Sequence, residues 1–454
     1  MNREWVNIKN GVNREFIAAE SLVLIERGLS ARQAIKKVIK KLNISDWKTH
    51  SAVHALVFET LRARNILDRI IKEALNNKSL KNLNPFILNV LRIATYQMHI
   101  QNVPPALATN EAVVSIGQNM EEKDKKLINA LARKIEKIQP YTIIEKTSDH
   151  YDVLALEYFM PKWLTKHLVE VWGETRAKSI MSHLGKPPKR TIRVNTLKIS
   201  PNKFLEMDHG IWLEKTPLLD VFNVIKTELP LPRVKEYKEG LFFIQDFAST
   251  LVSHILNPEP EDDVLDSCAA PGGKTTHMAQ LMQNRGRIVA IDIRKMRALE
   301  LHKKLKLFGV KNTSLIIADA RMLPLNTTFD KVILDPPCTG SGTIGSRPET
   351  KWRLTKRYTK WLSNLQKKLL KQVSKVVKPG GTLVYSTCSI TKNENEDIIE
   401  KFLQTHSDFY LEKTEPFLGE PAINMPEAQR LLPDKINCEG FFIAKIRKKP
   451  KKTS

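Results

Sequence analysis

Two cysteines and an acid stand where this chain has the means to make and break a covalent bond. Asp335 and Cys338 lie in Asp335-Pro336-Pro337-Cys338-Thr339-Gly340-Ser341-Gly342, and Cys388 lies in Tyr385-Ser386-Thr387-Cys388-Ser389. Two successive prolines fix φ and remove two backbone donors, so the first segment must leave any strand as a stiff loop. Stiffness suits a place where reacting groups are held still. A thiolate adds to an electron-poor carbon, and a neighbouring carboxyl group stabilises charge that develops in the acceptor. Taken singly, each thiol reads more readily as a small buried hydrophobe. Taken together, with an acid beside them, they read as a site. Spacing leaves open which thiol attacks.

The elements that must position these groups lie between residues 246 and 446, where short apolar runs alternate with helical ones. Strands are expected at 263–265, 288–291, 315–318, 331–334 and 382–386, with helices such as 294–308 and 357–377 between them. That alternation predicts a doubly wound parallel α/β sheet of Rossmann-like type. Ligands of such sheets sit beyond the carboxyl ends of the strands. Those ends carry Asp266, Asp292, Asp319, Asp335 and Cys388 in turn.

After the first strand come Cys268, Ala269, Ala270, Pro271, Gly272, Gly273 and Lys274. Small residues and a glycine pair let backbone approach a ligand at the mouth of the next helix. Gly273-Lys274-Thr275 resembles the end of a phosphate-binding loop, but Cys268 occupies the place of its first glycine, which argues against nucleotide hydrolysis. Nor is this loop a Gly-x-Gly-x-x-Gly dinucleotide turn. Asp292 is placed to accept hydrogen bonds from ribose hydroxyls. A ligand with a ribose, an adenine and a carboxylate fits, and S-adenosylmethionine is such a ligand. The cofactor-binding set is therefore residues 268–274 with Asp292, Asp319 and Asp335.

Bulk properties narrow the partner. The chain has 454 residues, enough for two or three domains, with 42% hydrophobic and 27% charged residues, an ordinary globular balance. Lys and Arg number 73 against 49 Asp and Glu, giving +24. Such an excess points to a polyanion, nucleic acid above all, the alternative being a solvated basic surface. No apolar run approaches the ~18 residues of a membrane span, and Met1-Asn2-Arg3-Glu4-Trp5 lacks a signal-peptide core. The four cysteines form no Cys-x-x-Cys pair, so neither a disulfide scaffold nor a zinc site is expected, and the compartment is expected to be the reducing cytoplasm. His50 and His54 stand one helical turn apart and read as helix-face residues. No metal is expected, no membrane, and a monomer.

Residues 1–145 are poor in glycine and carry apolar stripes at helical spacing, so an all-helical domain is expected, with Ser30 capping one helix and Pro85 opening another. Residues 146–245 are expected to form a small α+β, RNA-binding subdomain, broken by Lys186-Pro187-Pro188. Its segment Thr191-Ile192-Arg193-Val194-Asn195 alternates, placing Ile192 and Val194 toward a core and Arg193 with Asn195 on the other face. A guanidinium beside an amide holds a phosphate or a base edge; the alternative is a solvated strand face. Residues 447–454 close the chain as a basic, solvated tail.

Two resemblances follow. Asn110-Glu111-Ala112-Val113 and Asn129-Ala130-Leu131, with Glu59-Thr60-Leu61-Arg62 upstream, resemble the NusB-like helical domain, which implies an RNA- or protein-binding module. Asp266-x-Cys268-Ala-Ala-Pro-Gly-Gly-Lys-Thr275, Asp335-Pro-Pro-Cys338-x-Gly-x-Gly342 and Tyr385-Ser-Thr-Cys388-Ser389 are similar to the Sun/Fmu family of RNA cytosine-5 methyltransferases. Arg193-Val194-Asn195-Thr196, Pro348-Glu349-Thr350-Lys351-Trp352-Arg353 and Asn393-Glu394-x-Glu396 extend the match; Glu439 replaces the usual aspartate before Gly440-Phe441-Phe442. The resemblance implies attack by Cys388, product release by Cys338, and a base oriented and protonated by Asp335. It implies S-adenosylmethionine as donor and ribosomal RNA as substrate, transfer RNA being the alternative.

Two rival readings remain in view. Amino-methyltransferases share an Asp/Asn-Pro-Pro motif but follow it with an aromatic residue, where this chain has Cys338. A noncatalytic RNA-binding or assembly factor has no need of the cofactor loop, the acid and both thiols.

Overall fold

A computed structural model describes residues 13–117 and 121–451. The N-terminal residues 1–5 read above and the end of the basic tail, 452–454, lie outside the described residues. The chain divides into two compact units, Met1–Gly185 with Arg347–Arg353, and Lys186–Ser346 with Leu354–Ser454. The division falls at the Lys186-Pro187-Pro188 break rather than near 145. Helices Lys162–Trp172 and Glu174–Leu184, assigned above to the middle subdomain, therefore belong to the first unit. No helix among the described residues is long and apolar enough to cross a membrane.

The first unit is all helical. Ser30 caps helix Ala31–Lys41 and Gln33 returns the bond to the Ser30 N–H, a reciprocal cap that satisfies two otherwise orphaned donors. Pro85 takes the first position of helix Pro85–His99, where its missing N–H has no intrahelical partner to lose. The stripes Ala34, Ile35, Val38, Ile39 and Val53, Leu56, Val57, Leu61 enter one apolar core. His50 meets the Ile44 carbonyl at 3.1 Å and His54 stacks on Phe58, so each imidazole has a separate employment.

Residues Arg347–Arg353 cap helix ends in this unit. Glu349 accepts from the Ala31 N–H at 3.1 Å, at the start of helix Ala31–Lys41. Lys351 donates to the Arg62 carbonyl at 2.8 Å and Trp352 to the Leu61 carbonyl at 2.6 Å, at the end of helix Trp47–Arg62. Arg353 donates to the Ile25 carbonyl at 2.8 Å, in the last turn of helix Arg14–Glu26. The acid thus faces an N-terminus and the cations face C-termini, the arrangement that helix dipoles favour.

The second unit contains two sheets. The smaller is antiparallel in the order β2-β3-β1-β4, with β1 Thr191–Val194, β2 Ile211–Lys215, β3 Val221–Thr227 and β4 Phe242–Ile244. The larger contains β5 Asp263–Asp266, β6 Arg287–Asp292, β7 Thr313–Ile317, β8 Phe329–Leu334, β9 Val377–Thr387, β10 Phe409–Glu412, β11 Glu420–Ala422, β12 Met425–Leu431 and β13 Phe441–Lys448. Its order is β11-β12-β13-β9-β8-β5-β6-β7, with β10 beside β13. β5 to β9 are the five expected strands, and they pair in parallel.

The remaining strands are antiparallel, so the sheet is mixed rather than purely parallel. The supposed tail supplies part of the last one. Arg447 and Lys448 pair with β10, and Ile446 is buried while the basic residues alternate outward. A period of two, hidden by the density of charge, makes a strand of what reads as a tail. Strand order reverses between β5 and β8, which opens a crevice at their carboxyl ends.

Candidate active site

β8 and β9 run side by side in parallel, with Leu334 opposite Tyr385. Their next residues therefore emerge together at the crevice. Ser386 donates to Asp335 Oδ1 at 3.2 Å, and the sulfurs of Cys338 and Cys388 lie 3.2 Å apart. The hydrogen bond to Cys388, followed by burial, pushes the Cys338 thiol well up. Burial raises Cys268 and Cys438 as well, which leaves both as protonated packing groups.

Lys274 joins this site from the first turn of helix Gly273–Leu281, which follows the neighbouring strand β5. Its ammonium donates to Asp335 Oδ2 at 2.7 Å and to Ser249 Oγ at 3.3 Å. Burial works to lower this ammonium, and Asp335, with a smaller share from Cys388, outweighs it, so the group is raised and stays charged. The site therefore holds a fixed cation beside Asp335.

The loop before Lys274 is tight for a physical reason. Gly272 sits at φ +95°, and a Cβ there would strike Leu301. Beneath it, Thr275 Oγ1 donates to Asp266 Oδ2 at 2.7 Å, and burial pushes the Asp266 carboxyl up to about 7. Asp292 Oδ2 accepts from the Ala270 N–H at 3.1 Å and Oδ1 from the Arg294 N–H at 2.9 Å, which ties the loop to the end of β6. Beside it the apolar side chains of Ile293, Met296 and Met322 stand exposed, at 58%, 73% and 74%. A carboxylate with acceptor capacity left over, next to exposed apolar surface, fits a nucleoside's hydroxyls and base. Asp319 is held by Arg321, whose Nε lies 2.8 Å from Oδ2.

One group that sequence reasoning passed over holds the two thiol loops together. Glu394 is fully buried. Its Oε1 accepts from the Thr339 N–H at 2.8 Å and from Gln366 at 3.0 Å. Its Oε2 accepts from the hydroxyls of Thr339 and Ser389 at 2.6 Å each and of Thr391 at 2.8 Å. Thr339 follows Cys338 and Ser389 follows Cys388, so a single carboxylate fixes both neighbours. Further along, the Gly342 N–H donates to the Cys388 carbonyl at 2.9 Å, and a Cβ at Gly342 would overlap the Gly440 backbone. The sequence signals were the Asn393-Glu394-x-Glu396 motif, to which no role was attached, and the run of hydroxyl residues flanking both cysteines.

The expected RNA-facing pair is corrected. Arg193 and Asn195 are both fully buried. Arg193 donates to the Gly273 carbonyl at 3.0 Å and to Thr276 Oγ1 at 2.9 Å. Asn195 donates to the carbonyls of Gly240 and Phe308 at 2.8 and 3.0 Å. The face of β1 read as open is covered by helix Gly273–Leu281, because both sides of the strand pack.

Comparisons with known proteins agree with this geometry. The family model described as 16S rRNA methyltransferase RsmB/F matches residues 253–447, that of the NusB family matches 15–137, and a Methyltr_RsmF/B-like ferredoxin-like domain matches 160–220. The probable ribosomal RNA small subunit methyltransferase B of Bacillus subtilis is 32% identical over 447 residues, covering 95% of this chain and 98% of that protein. The tRNA (cytosine(72)-C(5))-methyltransferase of Pyrococcus horikoshii is 39% identical over 245 residues, covering 53% of this chain and 62% of that protein. The crystal structure of a protein designated PH0851 superposes with a TM-score of 0.83 at 29% identity, covering 96% of this chain and 99% of that one. With both of its domain models matched and a relative 32% identical along nearly its whole length, the chain belongs to the RsmB/F (Sun/Fmu) family of RNA methyltransferases that carry an N-terminal NusB-like domain.

Proposed function

We propose that this protein methylates carbon 5 of a cytosine in ribosomal RNA, through a covalent bond between Cys388 and carbon 6 of the base. The observation that carries the reading is the meeting of Cys338, Cys388 and Asp335 at the ends of two adjacent parallel strands, with the sulfurs 3.2 Å apart. Carbon 5 of cytosine is too weak a nucleophile to be alkylated unaided. Addition of the Cys388 thiolate at carbon 6 moves electron density to carbon 5. Asp335 stabilises the charge that develops at the ring nitrogen, and Lys274 keeps that carboxyl oriented. Bound S-adenosylmethionine supplies the methyl group. A base then removes the proton from carbon 5, the carbon–sulfur bond breaks, and Cys388 leaves as a thiolate, with the protonated Cys338 beside it to assist release.

The cytosine must be unstacked to enter, which favours single-stranded or locally opened RNA. With Arg193 and Asn195 buried, another surface must meet the phosphates. Helix Lys356–Val373 supports this role. It carries Lys356, Arg357, Lys360, Lys367, Lys368 and Lys371 and no acidic residue. Tyr358 and Trp361 are exposed on it, with ring centroids 5.8 Å apart. Cations with stacked aromatic rings suit a single-stranded nucleic acid. Transfer RNA is the second reading, favoured by the Pyrococcus relative that matches the catalytic half.

Covalent trapping tests the mechanism. With S-adenosylmethionine and small-subunit ribosomal RNA, Cys338→Ala is expected to accumulate a denaturation-resistant protein–RNA adduct and Cys388→Ala none. The reverse pattern would overturn the roles. Mapping 5-methylcytosine in RNA from cells lacking the protein decides between ribosomal and transfer RNA.

A further inference from the structure

We infer that the small sheet of the second unit positions the cofactor loop, its Arg193, Asn195 and Asp220 gripping one polar face of helix Gly273–Leu281. The inference rests on the reading of residues 268–274 as the S-adenosylmethionine loop. Gly273, Thr276, His277 and Gln280 recur at the spacing of one helix face. Each is met by a partner from the small sheet. Arg193 reaches the Gly273 carbonyl and Thr276 at 3.0 and 2.9 Å. Asp220 Oδ2 meets His277 Nε2 at 3.0 Å, and Gln280 donates to Asn195 Oδ1 at 2.7 Å. The other oxygen of Asp220 meets His254 of helix Phe247–Leu256, also at 3.0 Å, so one carboxylate joins two helices to the sheet.

Every member of this stripe that carries a polar side chain is buried, Thr276 and His277 completely. A buried polar interface is a costly way to achieve packing alone, because an apolar one of the same size avoids the desolvation. What it adds is register. Apolar surfaces tolerate a slide of an ångström, whereas a guanidinium displaced from its acceptors inside a protein loses bonds that no water replaces. Burial pulls Arg193 down to about 9, which reflects how dry the site is.

The position gripped is the one that matters for the ligand. Gly273 and Thr276 lie in the first turn after the loop Cys268–Gly272, and Lys274 between them holds Asp335. On the loop side, a Cβ at Gly273 would stand 3.2 Å from Gln245 Nε2, so the strand β4 end closes the grip. A shift of this turn would move the loop's backbone and the ammonium beside the thiol pair together. Arg193, Asn195 and Asp220 are therefore positioning residues, acting on the ligand only through the helix.

Arg193→Met keeps the volume of the side chain and removes its donors. Its affinity for S-adenosylmethionine, measured by titration calorimetry without RNA, is expected to fall about tenfold. Its affinity for RNA is expected to stay within about twofold, and Arg193→Lys to recover part of the loss. Amide hydrogen exchange of the ligand-free protein is expected to quicken at residues 273–277 while β1 to β4 stay protected. If Arg193→Met fails to fold, Thr276→Val removes the acceptor of one Arg193 bond together with the hydroxyl's own bond to the Gly272 carbonyl at 2.8 Å, and a loss of about threefold is expected in the same titration. Unchanged S-adenosylmethionine affinity in a folded variant would overturn the inference, as would equal losses for both ligands or faster exchange throughout the small sheet. A parent protein that binds no S-adenosylmethionine would instead overturn the reading of the loop, and the inference with it.

Discussion

Removing the Glu394 carboxylate is expected to loosen both cysteine loops at once. Five donors converge on it: the Thr339 N–H and Gln366 on one oxygen, and the hydroxyls of Thr339, Ser389 and Thr391 on the other. In Glu394→Ala the hydroxyls turn to one another, since Thr339 and Ser389 already stand 3.2 Å apart and Ser389 and Thr391 3.0 Å apart. The Thr339 N–H has no such freedom, while Gln366 keeps its bond to the Pro337 carbonyl at 3.0 Å. A stranded buried donor costs about 1–3 kcal/mol, so with one donor wholly and one partly stranded a loss of about 2–4 kcal/mol is expected. Glu394→Gln keeps one acceptor oxygen for the N–H pair, and its loss is expected at about 1–2 kcal/mol. Because the chain has two compact units, the unfolding of the second is best followed by proteolysis at its own sites in a denaturant series. Turnover is expected to fall more steeply than S-adenosylmethionine affinity, because the freed loops carry the thiols and not the cofactor residues. A Glu394→Ala protein within about 0.5 kcal/mol of the parent, with normal turnover, would refute this account.

Two further outcomes follow from the same geometry. The folded state keeps a proton on Asp266 up to about pH 7, whereas the unfolded chain releases it near 3.8, so the buried charge weighs fully above pH 7 and is relieved as pH falls. The stability advantage of Asp266→Asn over the parent is therefore expected to widen by about 2 kcal/mol from pH 5 to pH 8 in denaturant titrations, and a constant gap would refute it. On helix Lys356–Val373, Trp361→Ala is expected to weaken RNA binding by about 1–3 kcal/mol, and Lys360→Gln to reduce the salt slope by about one. S-adenosylmethionine affinity is expected to stay unchanged in both, and an unaltered RNA titration would remove this face from the interface.

Much of the fold was legible because local rules act within a few residues. Ser30 as a helix cap, and Pro85 at a helix start, are read correctly from capping and ring geometry alone. Of the five parallel strands, β5, β6, β8 and β9 stand out because their mostly buried residues read as short apolar runs, and edge strand β7 stands out by its apolar run although its residues are half-buried or exposed. β12 and β13 did not stand out, because Pro426 interrupts the first and the lysines crowding the second hide its alternation.

The sequence by itself determined which reactive groups stand at the ends of apolar runs: two thiols, an acid and a glycine loop. It also separated a helical N-terminal part from an alternating C-terminal one by periodicity, but set their boundary near 145 where the structure divides at Lys186. Only the tertiary structure decided what those residues face. Alternation states that Arg193 and Asn195 share a side of β1, but which element covers that side depends on contacts with residues some eighty positions away, Gly273, Thr276 and Gln280. The same holds for Glu394, whose partners come from three separate segments. Periodicity is a property of neighbours along the chain, and a buried polar contact is a property of neighbours in space.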